Sequence, residues 1–330
     1  MDELRTEAVT DDDALASLVP AWWRLWRRSP NATPFQTPAW LVPWWRSFRP
    51  GSLRSVAIWG GRELVAFGAF YEERGPSGRR LLPLGISVSD YLDVLVDPLH
   101  ETRAAPLLLA NLLRMSSGGL LRCEELAPDA TALRLWAGHP GSAIAPQSTC
   151  PVLELKDERT LKSSVPASKL RKIRMAGHRL QRRGGIVENI SVETAKAFLP
   201  ELLRLHFIRW KDRGEHGVLA DAKVQTFHAA ALVPLLKAGL LCLCTVRIES
   251  RVVAAYYGFC SRRNAYAYLG GFDPAFAYES PGTILIAHAI AEADRSGAQT
   301  FHFLRGREAY KYEWGASDRI NSSLELRANE

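Results

Sequence analysis

The sequence is poor in cysteine and contains no long apolar run. Its five cysteines show no CxxC pair or ligand-like spacing, which argues against a disulfide framework or a zinc site, so no metal is expected. No stretch approaches the roughly twenty apolar residues that cross a bilayer. Residues 1–13 are acidic and polar, and we therefore expect no signal peptide. These absences predict a soluble, cytoplasmic protein.

Length and pattern predict two related domains. At 330 residues and 47% apolar composition, the chain is long for one core. Each half shows two helices, a three-strand meander, a further helix and a final strand. The meander strands are Ser55–Trp59, Leu64–Tyr71 and Arg79–Leu84, then Leu240–Ile248, Val252–Cys260 and Tyr266–Gly270. We predict an α+β (mixed α/β) fold with domains 1–154 and 155–330.

A cluster of basic residues lies just after the expected boundary. Its members are Lys169, Arg171, Lys172, Arg174, Arg179, Arg182 and Arg183. Leu170, Ile173 and Leu180 recur between them at helical spacing, which predicts a basic amphipathic helix. Two interpretations stay open. The helix has a solvated face, or it binds an anion such as a CoA phosphate, a lipid-linked sugar, a nucleic acid or a membrane surface.

The segment Phe301–Gly315 concentrates charged and aromatic side chains behind a short strand. Upstream, the strand Tyr266–Phe272 contains Gly270-Gly271, and a helix opens on Ser280-Pro281-Gly282-Thr283. Proline suits the first turn of a helix because its missing N–H has no helical partner there. A helix N-terminus favours negative charge. A Ser-capped helix of the protein core remains the alternative.

Several motifs, in the same order along nearly the whole chain, resemble the FemAB-like, CelD-like branch of the GNAT N-acetyltransferase superfamily. They are Phe35-Gln36-Thr37-Pro38-Ala39-Trp40-Leu41 with Trp44-Trp45, Leu82-Pro83-Leu84-Gly85 with Asp90-Tyr91-Leu92-Asp93, His206 with Arg209-Trp210, Gly270-Gly271-Phe272-Asp273-Pro274, Ser280-Pro281-Gly282, and Leu304-Arg305-Gly306 with Tyr310-Lys311-Tyr312 and Trp314-Gly315. Two positions depart from the pattern. His302 stands where relatives usually carry Asp, and Ala309 where they carry Pro.

The resemblance implies tandem GNAT folds, each a mixed, mostly antiparallel sheet flanked by helices. Domain 155–330 would bind acetyl-CoA or another acyl-CoA, and domain 1–154 would lack CoA. The pantetheine arm would insert between splayed strands, with the pyrophosphate on the following helix. The implied cofactor residues are Leu269, Gly270, Gly271, Phe272, Pro281, Gly282, Thr283 and Arg305.

Acyl transfer needs a base for the acceptor, donors for the oxyanion and an acid for the leaving thiol. Tyr310 is the predicted acid, as in similar GNAT enzymes, and Lys311 a predicted oxyanion or phosphate contact. Glu308 and, ranked second, Asp273 are the base candidates. Each also has a structural interpretation: aromatic packing for Tyr310, a turn for Asp273. His302 is an alternative base, but strand alternation places it on the face opposite Phe301 and Phe303, and we expect a structural histidine.

The predicted acceptor contacts are Asp90, Tyr91 and Trp210. Tryptophans of the first half are expected mainly in the core, with some open to sugar stacking. We predict an acyl-CoA-dependent transferase that acetylates an amine or hydroxyl of a small-molecule, sugar or glycan acceptor. Two alternatives stay open: a Fem-type aminoacyl-tRNA-dependent peptidoglycan transferase, and a non-catalytic glycan- or complex-binding protein. Nucleic acid is expected only under the first, and the basic helix leaves peripheral membrane contact open.

Overall fold

The chain forms two compact units. A computed structural model describes residues 3–76, 78–116, 118–155, 161–211 and 217–327. Unit 1 comprises Met1–Ser148 and Ile320–Glu330, and unit 2 comprises Thr149–Arg319. Residues 320–330, which the sequence pattern assigned to the second domain, group with unit 1. Their strand partners lie in unit 1, and such long-range pairing leaves no local signal in sequence.

In unit 1, three helices follow the first strand, and a run of strands comes next. In chain order they are β1 (Leu4–Val9), α1 (Asp12–Ser17), α2 (Val19–Arg28), α3 (Pro38–Phe48), β2 (Ser52–Leu53), β3 (Ser55–Gly60), β4 (Glu63–Gly68), β5 (Phe70–Gly75), β6 (Gly78–Pro83), β7 (Leu95–Val96), α4 (Glu101–Ser116), β8 (Leu120–Leu126) and α5 (Thr131–Trp136). Strand β9 (Ala143–Glu154) then carries the chain into unit 2.

Unit 2 repeats the helix–meander–helix–strand order. Its elements are α6 (Leu161–Ser164), α7 (Ala167–Arg182), β10 (Ile186–Asn189), α8 (Ala195–Lys211), α9 (Ala222–Lys237), β11 (Leu241–Ile248), β12 (Arg251–Ser261), β13 (Asn264–Phe272), α10 (Pro281–Arg295), β14 (Thr300–His302) and α11 (Ala309–Tyr312). Strand β15 (Ser317–Arg327) returns the chain to unit 1.

Unit 1 packs α4 against its strands. Its strands fall into two sets of hydrogen-bonded neighbours. One set has the order β1, β3, β4, β7, and the other has the order β15, β8, β6, β5, β2. Leu108 and Leu112 of α4 are fully buried, as are Leu324 and Leu326 of β15. The tryptophans that the sequence places mainly in the core are buried as expected at three positions, since Trp22, Trp40 and Trp44 are at most 2% exposed. The last strand therefore completes the core of the unit that begins the chain.

Unit 2 is a mostly antiparallel sheet with helices on both faces. Strands β10 to β13 pair antiparallel, and β14 pairs parallel with β13 and antiparallel with β9. Helices α7 and α10 bury Ala176, Leu180 and Ile290 against one face, where Tyr256 points. On the other face, Phe198 of α8 lies with its ring centroid 6.3 Å from that of Tyr257. This arrangement confirms the predicted mixed α/β class.

Within the ranges that the structure covers, no helix has the length and apolar character of a membrane span. The same residues contain no group of three or more His, Cys, Asp or Glu side chains placed to hold a metal ion.

Candidate active site

Strands β13 and β14 separate near the middle of unit 2. Their parallel pairing covers only Asn264 to Tyr266 opposite Thr300 to His302. The chain after β14 then turns to the β9 side, where Phe303 N–H donates to Pro151 O at 2.8 Å. A bulge in the β12–β13 ladder makes Tyr268 an extra residue just past the separation. Among the residues that the structure describes, none forms a strand partner for the β14-facing edge of β13 over 267–272.

A cavity of about 440 Å³ opens at this edge of unit 2. Its walls come from α7, α8, β12, β13, α10, α11 and the turn before α10. Eight residues predicted from the sequence line it: Leu269, Gly270, Gly271, Phe272, Pro281, Gly282, Thr283 and Tyr310. Residues that the prediction did not include also line it: Lys169, Arg209, Ala255, Tyr256, Ala267, Tyr268, Ala277, Ser280, Leu285, Ile286 and Trp314.

Helix α10 directs its N-terminus at this cavity. Ser280 precedes the helix in a left-handed conformation, φ 54° and ψ 50°, and Pro281 occupies the first helical turn. A Cβ built on Gly282 meets nothing closer than the Phe272 ring at 3.6 Å. The protein itself therefore leaves room for a side chain at Gly282. The helix N-terminus and the missing side chain suit close approach by an anion.

The two glycines of β13 have different surroundings. A Cβ on Gly271 would lie 2.8 Å from the backbone nitrogen of His206, so the close packing of α8 on the strand requires glycine. A Cβ on Gly270 meets only Ala255 O at 3.4 Å. Gly271 therefore has a structural reason for its identity whether or not a ligand is bound.

The described residues that line the cavity include two cations and no carboxylate. Lys169 of α7 is 5% exposed, and its Nζ lies 3.0 Å from Glu313 Oε2 and 4.5 Å from the Trp314 ring centroid. Arg209 of α8 places its guanidinium 5.5 Å from the centroid of the Phe272 ring. Such a lining favours an anionic ligand over a cationic one.

Tyr310 faces the cavity from α11. It is 42% exposed, and part of that surface faces the cavity, since Tyr310 lines it. Burial, followed by the negative charge of Glu308, raises the pKa of Tyr310 to about 12, although Arg209 opposes the shift. The phenol therefore stays protonated at neutral pH and can donate a hydrogen bond.

Lys311 is turned away from the cavity and holds the loop after β14. Its Nζ donates to the carbonyl oxygens of Leu304, Arg305 and Gly306 at 3.1, 2.7 and 3.1 Å. Glu308 Oε2 lies 2.9 Å from the same nitrogen. Leu304 and Gly306 have positive φ values of 60° and 108°. Lys311 thus stabilises an unusual backbone path, which fits a positioning role better than an oxyanion contact.

Replacing Lys311 by methionine is expected to destabilise unit 2 by about 3 kcal/mol. The change leaves three inward-facing carbonyl groups without their donor, and methionine preserves most of the side-chain volume. Urea unfolding at pH 7.5 measures the loss. The matched control is Lys172→Met, whose exposed Nζ lies 3.1 Å from Glu313 and should contribute less than about 1 kcal/mol. Equal effects of the two variants would contradict the assignment.

The other two predicted catalytic residues, Asp273 and Glu308, lie outside the cavity lining, and so does the predicted cofactor residue Arg305. Asp273 accepts from Ala275 N–H at 3.0 Å and pairs with Arg251 at 2.5 Å, so both of its oxygens hold a turn. Glu308 precedes α11 and has a 57% exposed side chain. The carbonyl of Arg305 accepts from Lys311. The geometry therefore favours Glu308 over Asp273 as a base, and a role of Arg305 in cofactor binding stays a prediction.

The predicted acceptor residues are also not part of the cavity lining. The ring centroid of Trp210 lies 5.7 Å from that of His206. Asp90 and Tyr91 are buried in unit 1, where their carbonyl oxygens accept from Asn321 and Gln36. Their role in acceptor binding stays a prediction. The structural histidine expected at position 302 is 7% exposed, and its Nε2 lies 2.9 Å from Thr300 Oγ1.

The sequence does contain a signal for the two cations that the prediction missed. In α7, Lys169 precedes Ile173, Ala176 and Leu180 at helical spacing, which places a lysine on the apolar face. In α8, Arg209 follows Leu202 and Leu205 in the same way, so it shares their inward face. The family motif contains both Arg209 and Trp210, but helical periodicity places Arg209 on the inward face of α8.

Residues 167–312 match the family model described as "Acetyltransferase (GNAT) domain", a region that contains every residue of the cavity except Trp314. This domain match supports an acyltransferase. No curated protein sequence matches the chain. The match covers the site but less than half of the chain.

Solved structures with the same fold extend over nearly the whole chain. FemX is 13% identical with a TM-score of 0.68, covering 98% of each chain. The C-terminal DUF2156 domain of a putative lysylphosphatidylglycerol synthetase from Agrobacterium fabrum is 14% identical, with a TM-score of 0.64 and coverage of 95% and 93%. A tandem GNAT protein from the clavulanic acid biosynthesis pathway is 14% identical, with a TM-score of 0.52 and coverage of 99% and 100%. These likenesses show the fold, and with it the predicted tandem GNAT architecture.

Proposed function

We propose that unit 2 transfers an acyl group from acyl-CoA, with acetyl-CoA as the first candidate, to an amine or hydroxyl. The observation that carries this proposal is the cavity itself. It joins an unpaired strand edge, a helix N-terminus and two cations without a carboxylate in its lining. An extended pantetheine arm can add to the β13 edge by main-chain hydrogen bonds. The pyrophosphate then meets the N-terminus of α10.

Different groups around the cavity have different roles in the proposed reaction. Tyr310 donates a hydrogen bond to the leaving sulfur, since its pKa of about 12 keeps the phenol protonated. Backbone N–H groups on the open edge of β13 stabilise the developing oxyanion. Glu308, the exposed carboxylate whose charge acts on Tyr310, takes the acceptor proton. Lys311 positions Glu308 and Tyr310, because it holds the loop that precedes these two residues.

The acceptor in this proposal is a sugar or amino sugar of exopolysaccharide or cell-envelope metabolism. The motif resemblance to the CelD-like branch supports that class. A panel of amino sugars and oligosaccharides, assayed for thiol release from acetyl-CoA, tests it. Transfer to simple amines but to none of the glycans would remove the acceptor assignment and keep the donor.

Gly282→Leu is expected to weaken acetyl-CoA binding at least tenfold without changing the melting temperature. The protein leaves space at this position, so the new side chain obstructs the ligand rather than the fold. Calorimetry with acetyl-CoA measures the affinity. Gly177→Leu is the matched control, because Gly177 is a helical glycine in α7 with open space around its Cβ and lies outside the cavity lining. Absence of acetyl-CoA binding to the wild-type protein would overturn the donor assignment.

An aminoacyl-tRNA-dependent transferase of the Fem type is the second candidate. The specific observation in its favour is on the solvent side of α7. There Arg171, Arg174 and Arg182 are exposed and have no carboxylate partner in the part of the chain that the structure describes. Such a stripe suits a phosphate backbone. A mobility-shift assay with charged tRNA separates the candidates. Glycan binding without binding of either donor would instead support a non-catalytic protein.

A further inference from the structure

Tyr278 is a large aromatic residue that unit 2 leaves exposed. It is 67% exposed and lies in the 3-10 turn Pro274–Glu279, directly before α10. Ala277 and Ser280 on either side of it line the cavity. A single exposed aromatic residue is ordinary on a protein surface. Tyr278 differs because Arg179 packs on its ring.

Arg179 of α7 covers one face of the Tyr278 ring. Its guanidinium carbon lies 4.4 Å from the ring centroid, and its Nη1 donates to Tyr278 O at 2.9 Å. No carboxylate partner for Arg179 occurs among the residues that the structure covers. One turn later in the same helix, Arg183 pairs with Glu279 at 3.4 Å. Arg179 is thus a positioned cation whose charge the described protein does not neutralise.

The pair offers two recognition elements next to the α10 N-terminus. The face of Tyr278 away from Arg179 is available for stacking by a base, which aromatic side chains accept regardless of sequence. The planar guanidinium can pair with a phosphate through parallel N–H groups while it stays stacked on the ring. A nucleotide fits both elements if it carries a base, a phosphate and a pyrophosphate that reaches the N-terminus of α10.

We propose that Tyr278 and Arg179 bind the nucleotide end of CoA, with adenine on the tyrosine ring and the 3′-phosphate on the guanidinium. This proposal rests on the acyl-CoA function proposed above. It assigns Arg179 of the basic helix to donor binding. It also predicts a protein that distinguishes CoA from dephospho-CoA, which lacks only the 3′-phosphate.

Calorimetry with CoA, dephospho-CoA and 4′-phosphopantetheine tests the assignment on the full chain. Wild-type protein should bind CoA about tenfold more tightly than dephospho-CoA. Arg179→Met should abolish that preference and leave dephospho-CoA affinity unchanged, because methionine keeps the stem that packs on the ring. Arg174→Met removes one charge from an exposed position of the same helix and should keep the preference.

Tyr278→Ala should weaken CoA and dephospho-CoA by a similar factor, about fivefold or more, and leave 4′-phosphopantetheine unaffected. Equal wild-type affinities for CoA and dephospho-CoA would overturn the phosphate assignment and leave the donor site intact. Failure of all three ligands to bind would instead overturn the proposed function. If Arg179→Met weakened only the binding of charged tRNA, the surface would belong to nucleic acid and this proposal would fall.

Discussion

Unit 2 is expected to lose about 6 kcal/mol of stability between pH 7.5 and pH 5. Three buried histidines, one each in α8, α9 and β14, cause the loss: His206, His228 and His302. Burial lowers the pKa of His206 to about 4, with a contribution from Arg209, and the pKa of His228 to about 3. Burial, followed by the charge of Arg319, lowers that of His302 to about 3.

The sign follows from proton uptake by the unfolded chain. Below a pH of about 6.5 the imidazoles of the unfolded chain bind protons, whereas those of the folded protein stay neutral. The free energy of unfolding therefore falls as the pH falls. At pH 5 each histidine accounts for about 2 kcal/mol. Carboxylates affect stability in a lower pH range. Lys169 and Lys172 lower the pKa of Glu313, and its contribution is lost only below about pH 4.5.

Urea unfolding at pH 7.5, 6.5, 5.5 and 5, with hydrogen exchange to follow unit 2 separately, measures the effect. His228→Phe should reduce the pH dependence by about a third, because phenylalanine fills the aromatic surroundings made by Phe227, Tyr257 and Tyr268 and takes up no proton. A free energy of unfolding that stays constant from pH 7.5 to pH 5 would show that these imidazoles are not held neutral.

Tyr310→Phe is expected to lower kcat about a hundredfold with little change in acetyl-CoA affinity. The substitution removes the only hydroxyl of α11 in the cavity lining and keeps the ring, whose centroid lies 6.4 Å from that of Phe303. Thiol release from acetyl-CoA in the presence of an accepting amine gives the rate. Because the pKa of Tyr310 is about 12, wild-type activity should show no loss from its ionisation below about pH 11.

Tyr312→Phe is the matched control from the same short helix. Its hydroxyl donates to Asp318 Oδ1 at 2.7 Å on the exposed side of unit 2, away from the cavity lining. The control should retain nearly full activity. Equal rates for Tyr310→Phe and wild type would move the donor role to another group, with Tyr256 as the next phenol in the lining.

Local chemistry made the core of unit 2 predictable. The alternating apolar residues and Gly270-Gly271 indicated a strand at Tyr266–Phe272, and the strand extends from Asn264 to Phe272. Pro281 marked the start of the next helix, which the structure confirms as Pro281–Arg295. Periodicity and capping act within a few residues, and a sequence displays them directly.

Features that depend on distant partners were less accessible. The predicted strand Leu64–Tyr71 is two strands, β4 and β5, that join different strand neighbours in unit 1. The first of the two helices predicted at the start of the chain is divided at Leu18 into α1 and α2, before Pro20. In the site, Lys169 reaches the cavity only because α7 packs along the sheet. Periodicity indicates which face of α7 is inward, but not that a cavity lies there.

The return of the chain through β15 has a consequence for biosynthesis. Leu324 and Leu326 of this strand are fully buried in unit 1, and the strand pairs antiparallel with β8. A nascent chain that has emerged only through unit 2 therefore leaves an edge of β8 open and part of the first core unfilled. Domains usually fold in the order of synthesis, N-terminal first. Here the contiguous second unit can fold first, and unit 1, although it leaves the ribosome earlier, becomes complete only after β15 has been translated.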